Sequence, residues 1–457
     1  MAQAAPAGPA DGTGSFDAVI LALPTPVGLR GKLLSPNAYR RALADGCEMS
    51  AYNVATDADM WVDEGFPWLG SGTGDLVAKP DQDAAFTAVW RPGAALVLAD
   101  ACNADGSPVP HAPRQVLRTQ VARLAEVGLT AVLGVESEAH AYTAGHRRLH
   151  ADGYRDLDRY LAADYNTDYV LEYPSGLSTL LHRLYDDLTA CGLPVEAVKT
   201  EASPGQVEIT FEPAKPMVAC DRHAVFKTAS RQSAEAEGMA LSFMAQPHAQ
   251  LSGSGCHLHL SLWDRDGRNV FAAADGGSGD SSGGETGHGA TTAELSPRIQ
   301  HALGGALEVL AQASLLYAPT VNSYKRLGRT VFTPTRMGWG HDDRTKALRL
   351  VGRGDSRRIE FRLPGADCQP HLAAAALIAG LAHGIREQVA LPDSGHAGAG
   401  VPRALHEAIA VFEQDPLLPD VLGKEVVEHY AHAGRLEQEA FQRAVSDWEL
   451  ERGLSRA

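Results

Sequence analysis

The sequence predicts an α+β fold, in which a small β-rich domain precedes a larger domain of sheet and helices. Three observations lead there. Residues up to about 110 mix short strand-like runs with turn signals such as "PTPVG", "ADGC" and "NADGSPVP". Beyond them, strand runs of period two are separated by amphipathic or wholly apolar helical stretches. No repeat of 20 to 50 residues (roughly the range of repeat proteins) is visible, so solenoids and propellers are excluded. A chain of 457 residues, at about 150 residues per domain, holds two or three domains and a substantial core.

The elements follow in chain order. Residues 1–15, "MAQAAPAGPADGTGS", have no basic segment followed by an apolar one, and their Ala/Pro/Gly content predicts a disordered tail, not a secretory signal. Order begins near "SFDAVILALP", a strand, and the small domain is expected over 16–110. The larger domain, 111–457, opens with a helix in "APRQVLRTQVARLAEVG". Pro113 suits its first turn, Leu117, Val121 and Leu124 form its apolar stripe, and Gly128 suits its end. The strand "LTAVLGVESEAHAY" follows, and later strands are "GQVEITFEP", "CHLHLSLWD", "ALRLVG" and "RRIEFRLP". Helices around "TLLHRLYDDLTACG" and "HLAAAALIAGLAHGIREQV" separate them. Residues 273–296 are Gly/Ser-rich and predict a flexible surface insertion.

Composition narrows the function classes. The net charge of −16, from 40 basic and 56 acidic residues, argues against a nucleic-acid binder or a ligand of anionic membranes. No apolar run is long enough to span a bilayer. Six scattered cysteines without a C-x-x-C pair favour reduced thiols and a cytoplasmic setting.

Four strand runs share one oddity, ionisable residues alternating with apolar ones. In "SRRIEFRLPG", Arg358, Glu360 and Arg362 take one face while Ile359, Phe361 and Leu363 take the other. "GVESEAH" places Glu136 and Glu138 on one face, and "GSGCHLHLSL" does the same with His257, His259 and Ser261. "EASPGQVEITF" supplies Glu208, with Glu201 just upstream. Each pattern alone suits a solvated sheet face. If the strands join in one sheet, five carboxylates and a histidine converge, and their mutual repulsion calls for bound divalent cations. Oxygen-rich ligation with an imidazole and no thiolate suits Mg2+ or Mn2+, and arginines beside it suit phosphate. Cations with phosphate-clamping arginines are what phosphoryl transfer requires, and neither a P-loop nor a kinase Gly-rich set is present.

The blocks "GVESE", "EASPGQVEI", "GSGCHLHLSL", "NSYKRL" and "RRIEFRLPGADCQPHLAAAALIAG" resemble, in order, the signatures of the glutamine synthetase family, and "GLRGKLL" and "GDLVAKPD" resemble its small domain. The resemblance implies an N-terminal β-grasp domain, a C-terminal catalytic domain, and homo-oligomeric rings, commonly dodecamers, with active sites between neighbouring subunits. It implies ATP as co-substrate, roughly two to three Mg2+ or Mn2+ ions per site, and activation of glutamate to γ-glutamyl phosphate before attack by an amine. Position by position, Glu138, Glu201 and Glu208 match one metal site, and Glu136, His257 and Glu360 the other. Arg326, Arg362 and Gly253 match glutamate contacts, and Arg344, Arg349 and Arg358 match residues that handle phosphate. Glu196, His259 and Ser261 match nucleotide contacts.

Departures from that pattern concern the nitrogen donor. Ammonia-using members carry an acidic "DGSS" block where this chain reads "GCEMSAYNVATDADM", and a flap Glu where it has Phe332. An aromatic there weakens an ammonium cage but suits the body of a larger amine. Such an amine arrives protonated and needs a base, for which Glu48, Asp57 and Asp59 are the candidates by position. Ser252 replaces the usual Asn beside Gly253, and Lys199 replaces an ATP-side His. No counterpart of the Tyr-bearing adenylylation loop stands near "LPDSGHAGAGVP". The expected activity is therefore formation of a γ-glutamyl amide from glutamate and a monoamine or polyamine. The alternatives are an ordinary glutamine synthetase and a catalytically silent ring protein.

Overall fold

Alternation in the first hundred residues builds a five-stranded sheet of order β2-β1-β5-β4-β3. Its strands are β1 (Ala18–Thr25), β2 (Gly28–Leu34), β3 (Cys47–Ser50), β4 (Asp75–Thr87) and β5 (Ala94–Cys102). β1 and β5 run parallel, and the other neighbours are antiparallel. The computed structural model describes residues 16–63, 65–69, 74–272, 295–328, 332–394 and 398–456. β5, "AALVLADAC", is central and buried on both faces, which explains its unbroken apolar run. One face packs Val19, Leu21, Tyr39 and Leu76, while on the other Ala22, Leu96 and Leu98 join Leu180, Phe211 and Phe226 of the larger domain. The arrangement is consistent with a β-grasp. A helix, Pro36–Asp45, adds to the strands expected here; Ser35 caps it by accepting the N–H of Ala38, and it buries Tyr39 and Ala42.

The larger sheet has eight strands, in the order β11-β12-β13-β10-β6-β8-β7, with β9 also paired to β6. They are β6 (Thr130–Tyr142), β7 (Val195–Thr200), β8 (Gln206–Phe211), β9 (Ala240–Ser242), β10 (Cys256–Trp263), β11 (Trp339–His341), β12 (Leu348–Val351) and β13 (Arg358–Phe361). Leu133, Val135, Leu258, Leu260, Ile359 and Phe361 point to one face and form its core with the helices Pro113–Glu126, Pro297–Gln312 and Pro370–Glu387. That packing leaves the opposite, ionisable face free to line a site.

Behind the sheet, Pro370–Glu387 is buried around most of its circumference, as its nearly all-apolar sequence requires. It meets Pro297–Gln312 through glycines: a Cβ on Gly384 would lie 2.0 Å from the His301 carbonyl oxygen, and one on Gly305 2.3 Å from the Gly384 Cα. Gly384→Ala is therefore expected to cost about 1–3 kcal/mol, read as a lower urea midpoint.

The expected tail, 1–15, and residues 273–294 of the expected insertion lie outside the described residues. Leu295 and Ser296, also assigned to that insertion, are structural: Leu295 is buried, and Ser296 caps the helix that follows. We place the domain boundary near residue 110, between β5 and the helix Pro113–Glu126. All six cysteines are free thiols. Among the described residues no helix is long and apolar enough to cross a membrane.

Candidate active site

Strand register assembles the ionisable face. β6 against β10 sets Glu136 opposite His257, and β6 against β8 sets Glu138 opposite Glu208. β10 against β13 sets His259 opposite Glu360, and β12 against β13 sets Arg349 opposite Glu360. Because side chains alternate, each of these residues shares the pleat face left uncovered by helices. Around them lies a cavity of about 240 Å³.

All six carboxylate and imidazole groups matched to metal sites line this cavity: Glu136, Glu138, Glu201, Glu208, His257 and Glu360. So do Gly253, Arg326, Arg344, Arg349, Arg362 and Phe332. Arg358, Glu196, His259 and Ser261 are not on its wall. His259 stands just beside it, with Nε2 2.8 Å from Glu136 Oε1. Arg358 Nε donates to His259 Nδ1 at 3.2 Å, and Ser261 Oγ accepts from Trp263 at 2.9 Å, so these extend the same region of the sheet. Glu196 is exposed on β7. Glu48, Asp57 and Asp59 do not line the cavity within one chain. Glu48 is exposed on β3, while Asp57 borders a separate apolar cavity of about 100 Å³ with Glu437 and Asp367.

Two groups of ligand atoms are close enough to share an ion. Glu138, Glu201 and Glu208 form one, and Glu136, His259 and Glu360 the other; within each, the atoms lie within 4.8 Å of one another. His257, the imidazole matched to the second group, stands with Nδ1 3.5 Å from Glu136 Oε2 and 3.6 Å from Glu360 Oε1, so two imidazoles face that pair of carboxylates. Burial, with the negative charges of Glu136, Glu201 and Glu138 around it, pushes Glu208 up to about 9. Burial also raises Glu138, and Glu201 adds to the effect. Bare, these carboxylates repel; a divalent cation with oxygen preference fits the donor set. Burial would raise Glu136 too, but the adjoining imidazoles of His257 and His259 outweigh it and hold the group well below the usual range.

Glu360 is 2 % exposed and accepts from Arg349 Nη1 at 2.8 Å and from Arg362. Arg326 is buried and spends its guanidinium on main-chain carbonyls, donating to Leu363 at 2.8 Å and Arg362 at 3.3 Å. Arg362 Nε is buried without a partner. Two buried guanidiniums beside a cavity, one with an unmet donor, suit a carboxylate ligand. At Gly253 a Cβ would come within 2.4 Å of the Ala245 carbonyl oxygen, so the backbone itself forms that wall. Phe332 is 64 % exposed, lines the cavity, and has φ of 60°, a strained value for an aromatic residue.

Some lining residues were not singled out in sequence. Gln206 donates to Glu138 Oε2 at 2.8 Å and to the Gly253 carbonyl at 3.1 Å, tying a candidate cation ligand to that wall. Its signal was available, since Gln206 shares the alternation of Glu208 in β8. Asp168, Tyr169 and Thr333 also line the cavity. Asp168 and Tyr169 come from an irregular stretch without periodicity, which only the tertiary fold brings here.

A profile of the glutamine synthetase catalytic domain matches residues 110–453. The chain is 41 % identical to the gamma-glutamylethanolamide synthetase of Streptomyces coelicolor, covering 97 % of this chain and 94 % of that one. It is 30 % identical to the glutamine synthetase of Halobacterium salinarum, covering 84 % and 83 %. It superposes on a crystal structure described as a novel glutamine synthase homolog with a TM-score of 0.79, 26 % identity, and coverage of 96 % and 97 %. With the carboxylates, imidazoles and arginines of its signature blocks gathered in and beside one cavity, the chain belongs to the glutamine synthetase family.

Proposed function

We propose that this ligase joins glutamate to a primary amine larger than ammonia, forming a γ-glutamyl amide at the expense of ATP. The observation that carries the reading is Phe332, exposed on the cavity wall at the position where ammonia-using members carry an acidic flap residue. The likeness to a gamma-glutamylethanolamide synthetase supports it. Members of the family use ATP and divalent metal ions.

In this reading Arg326, Arg362 and the Gly253 backbone hold glutamate, its γ-carboxylate turned towards Arg344 and Arg349. Arg358, Glu196, His259 and Ser261 receive the nucleotide along the neighbouring sheet surface. Divalent ions held by Glu138, Glu201 and Glu208, and by Glu136, His257 and Glu360, would neutralise and align the phosphates. A γ-carboxylate oxygen attacks the terminal phosphorus of ATP, ADP leaves, and the arginines stabilise the charge on the transferring group. The amine, once deprotonated, attacks the acyl carbon and displaces phosphate. Glu48, Asp57 or Asp59 would serve as base only from a neighbouring subunit of a ring, since within one chain they stand away from the cavity.

Phosphate release with ATP, Mg2+ and glutamate tests the proposal against ammonium, ethanolamine, putrescine, spermidine and simple alkylamines. Turnover with an amine and little with ammonium is expected. Turnover with ammonium alone would make the protein an ordinary glutamine synthetase, and none with any donor a silent one. Phe332→Ala is expected to raise KM for the preferred amine about tenfold through lost apolar and cation–π contact, with little change in KM for glutamate.

A further inference from the structure

The candidate cation site on Glu138, Glu201 and Glu208 already contains a positive charge. β7 pairs with β8 so that Lys199 stands opposite Glu208, and Glu208 in turn stands opposite Glu138. Lysine thus ends a row of residues running across the sheet. Its ammonium is ion-paired with Glu201 and lies 3.5 Å from Glu208 Oε1, while the ring of Tyr169 is centred 4.8 Å away on another side. Both Lys199 and Tyr169 line the same cavity as the carboxylates.

We propose that Lys199 is a built-in counter-cation, which holds Glu201 and Glu208 together when the site has no divalent ion and lowers the site's affinity for one. The inference rests on the cation-site reading above. To ligate a divalent ion all three carboxylates must ionise and present three negative charges; the ammonium leaves two, and the incoming ion must also approach a like charge a few ångströms away. The four-carbon stem lets the ammonium swing from between Glu201 and Glu208 while staying over the aromatic ring, with no change of backbone. The backbone register keeps it near, so it competes at every loading of the site.

The test is a Mn2+ titration of the full-length protein without nucleotide, followed by electron paramagnetic resonance of free Mn2+. It is paired with melting temperatures in EDTA and in Mn2+. Lys199→Met is expected to bind Mn2+ about tenfold or more tightly than wild type, to melt lower in EDTA, and to recover in Mn2+. Lys199→Arg, which keeps the charge, should bind Mn2+ as wild type does. Equal or weaker Mn2+ binding by Lys199→Met overturns the inference. A Met variant that folds only with Mn2+ supports it. If the Met variant folds in neither condition, Lys199→Gln is judged by the same criterion. Wild type and variants that all fail to bind Mn2+ overturn the cation-site reading itself, a distinguishable result.

Discussion

Glu360→Gln is expected to lower kcat by a factor of roughly 10²–10³ with ATP and glutamate saturating, while the circular dichroism spectrum stays that of the wild type. The amide keeps the shape of the side chain and one acceptor oxygen, but removes the charge that faces Arg349, Arg362, His257 and His259. Those groups pull Glu360 below the usual carboxylate range even though burial opposes them, so it is ionised at neutral pH. The Ala variant is a different experiment. It strands two guanidiniums around a 2 % exposed position, and a further stability loss of about 3–5 kcal/mol is expected. Comparing the two by turnover and urea midpoint separates the role in chemistry from the role in packing. Near-normal turnover by the Gln variant would remove Glu360 from the reacting site.

Arg114→Met should destabilise the protein by about 3–5 kcal/mol, the largest effect expected away from the cavity. The Arg114 side chain is 3 % exposed and joins both domains. Nη1 donates to Asp100 at 2.6 Å and Nη2 to Asp81 at 2.6 Å, both in the small sheet. Nε and Nη2 each donate to Asp221, at 2.9 Å, on the helix Pro216–Ala236. Asp221 also pairs with His371 Nε2 at 2.9 Å. Removing the guanidinium leaves the buried Asp221 without its arginine and Asp81 without its cation, while Asp100, partly exposed, keeps Arg118 at 2.7 Å. The sign of the pH dependence follows: burial would raise Asp221, but His371 and Arg114 outweigh it and lower its pKa in the folded state. Its contribution is therefore present above the unfolded-state value of about 3.9 and fades as pH falls through the folded-state value. The gap between variant and wild type, measured by urea denaturation, should be widest near neutrality and narrow in acid. An unchanged midpoint at pH 7 would mean that the network contributes nothing net.

The strands that carry ionisable residues were legible because one face had to pack. Ile359, Phe361 and Leu363 are fully buried, which forces Arg358, Glu360 and Arg362 to the other side. The helix Pro113–Glu126 was equally plain from Pro113 and its stripe of Leu117 and Leu124. β7, β9 and β11 were not: two have three residues each, and "VEAVKT" alternates weakly on an edge. The helix Pro36–Asp45 escaped because only Tyr39 and Ala42 of its ten residues are buried, too few to mark a period.

By itself the amino-acid order determined which residues share a face, since alternation along a strand is a local property of the backbone. It also carried the signature blocks that place the chain in its family. Only the tertiary structure decided how the strands line up beside one another. That register sets Lys199 against Glu208, brings His259 as well as His257 to Glu136, and seats Phe332, Tyr169 and Gln206 around one cavity. Such proximity joins residues far apart along the chain, and it is settled by the packing of the apolar face against helices, which no local pattern encodes.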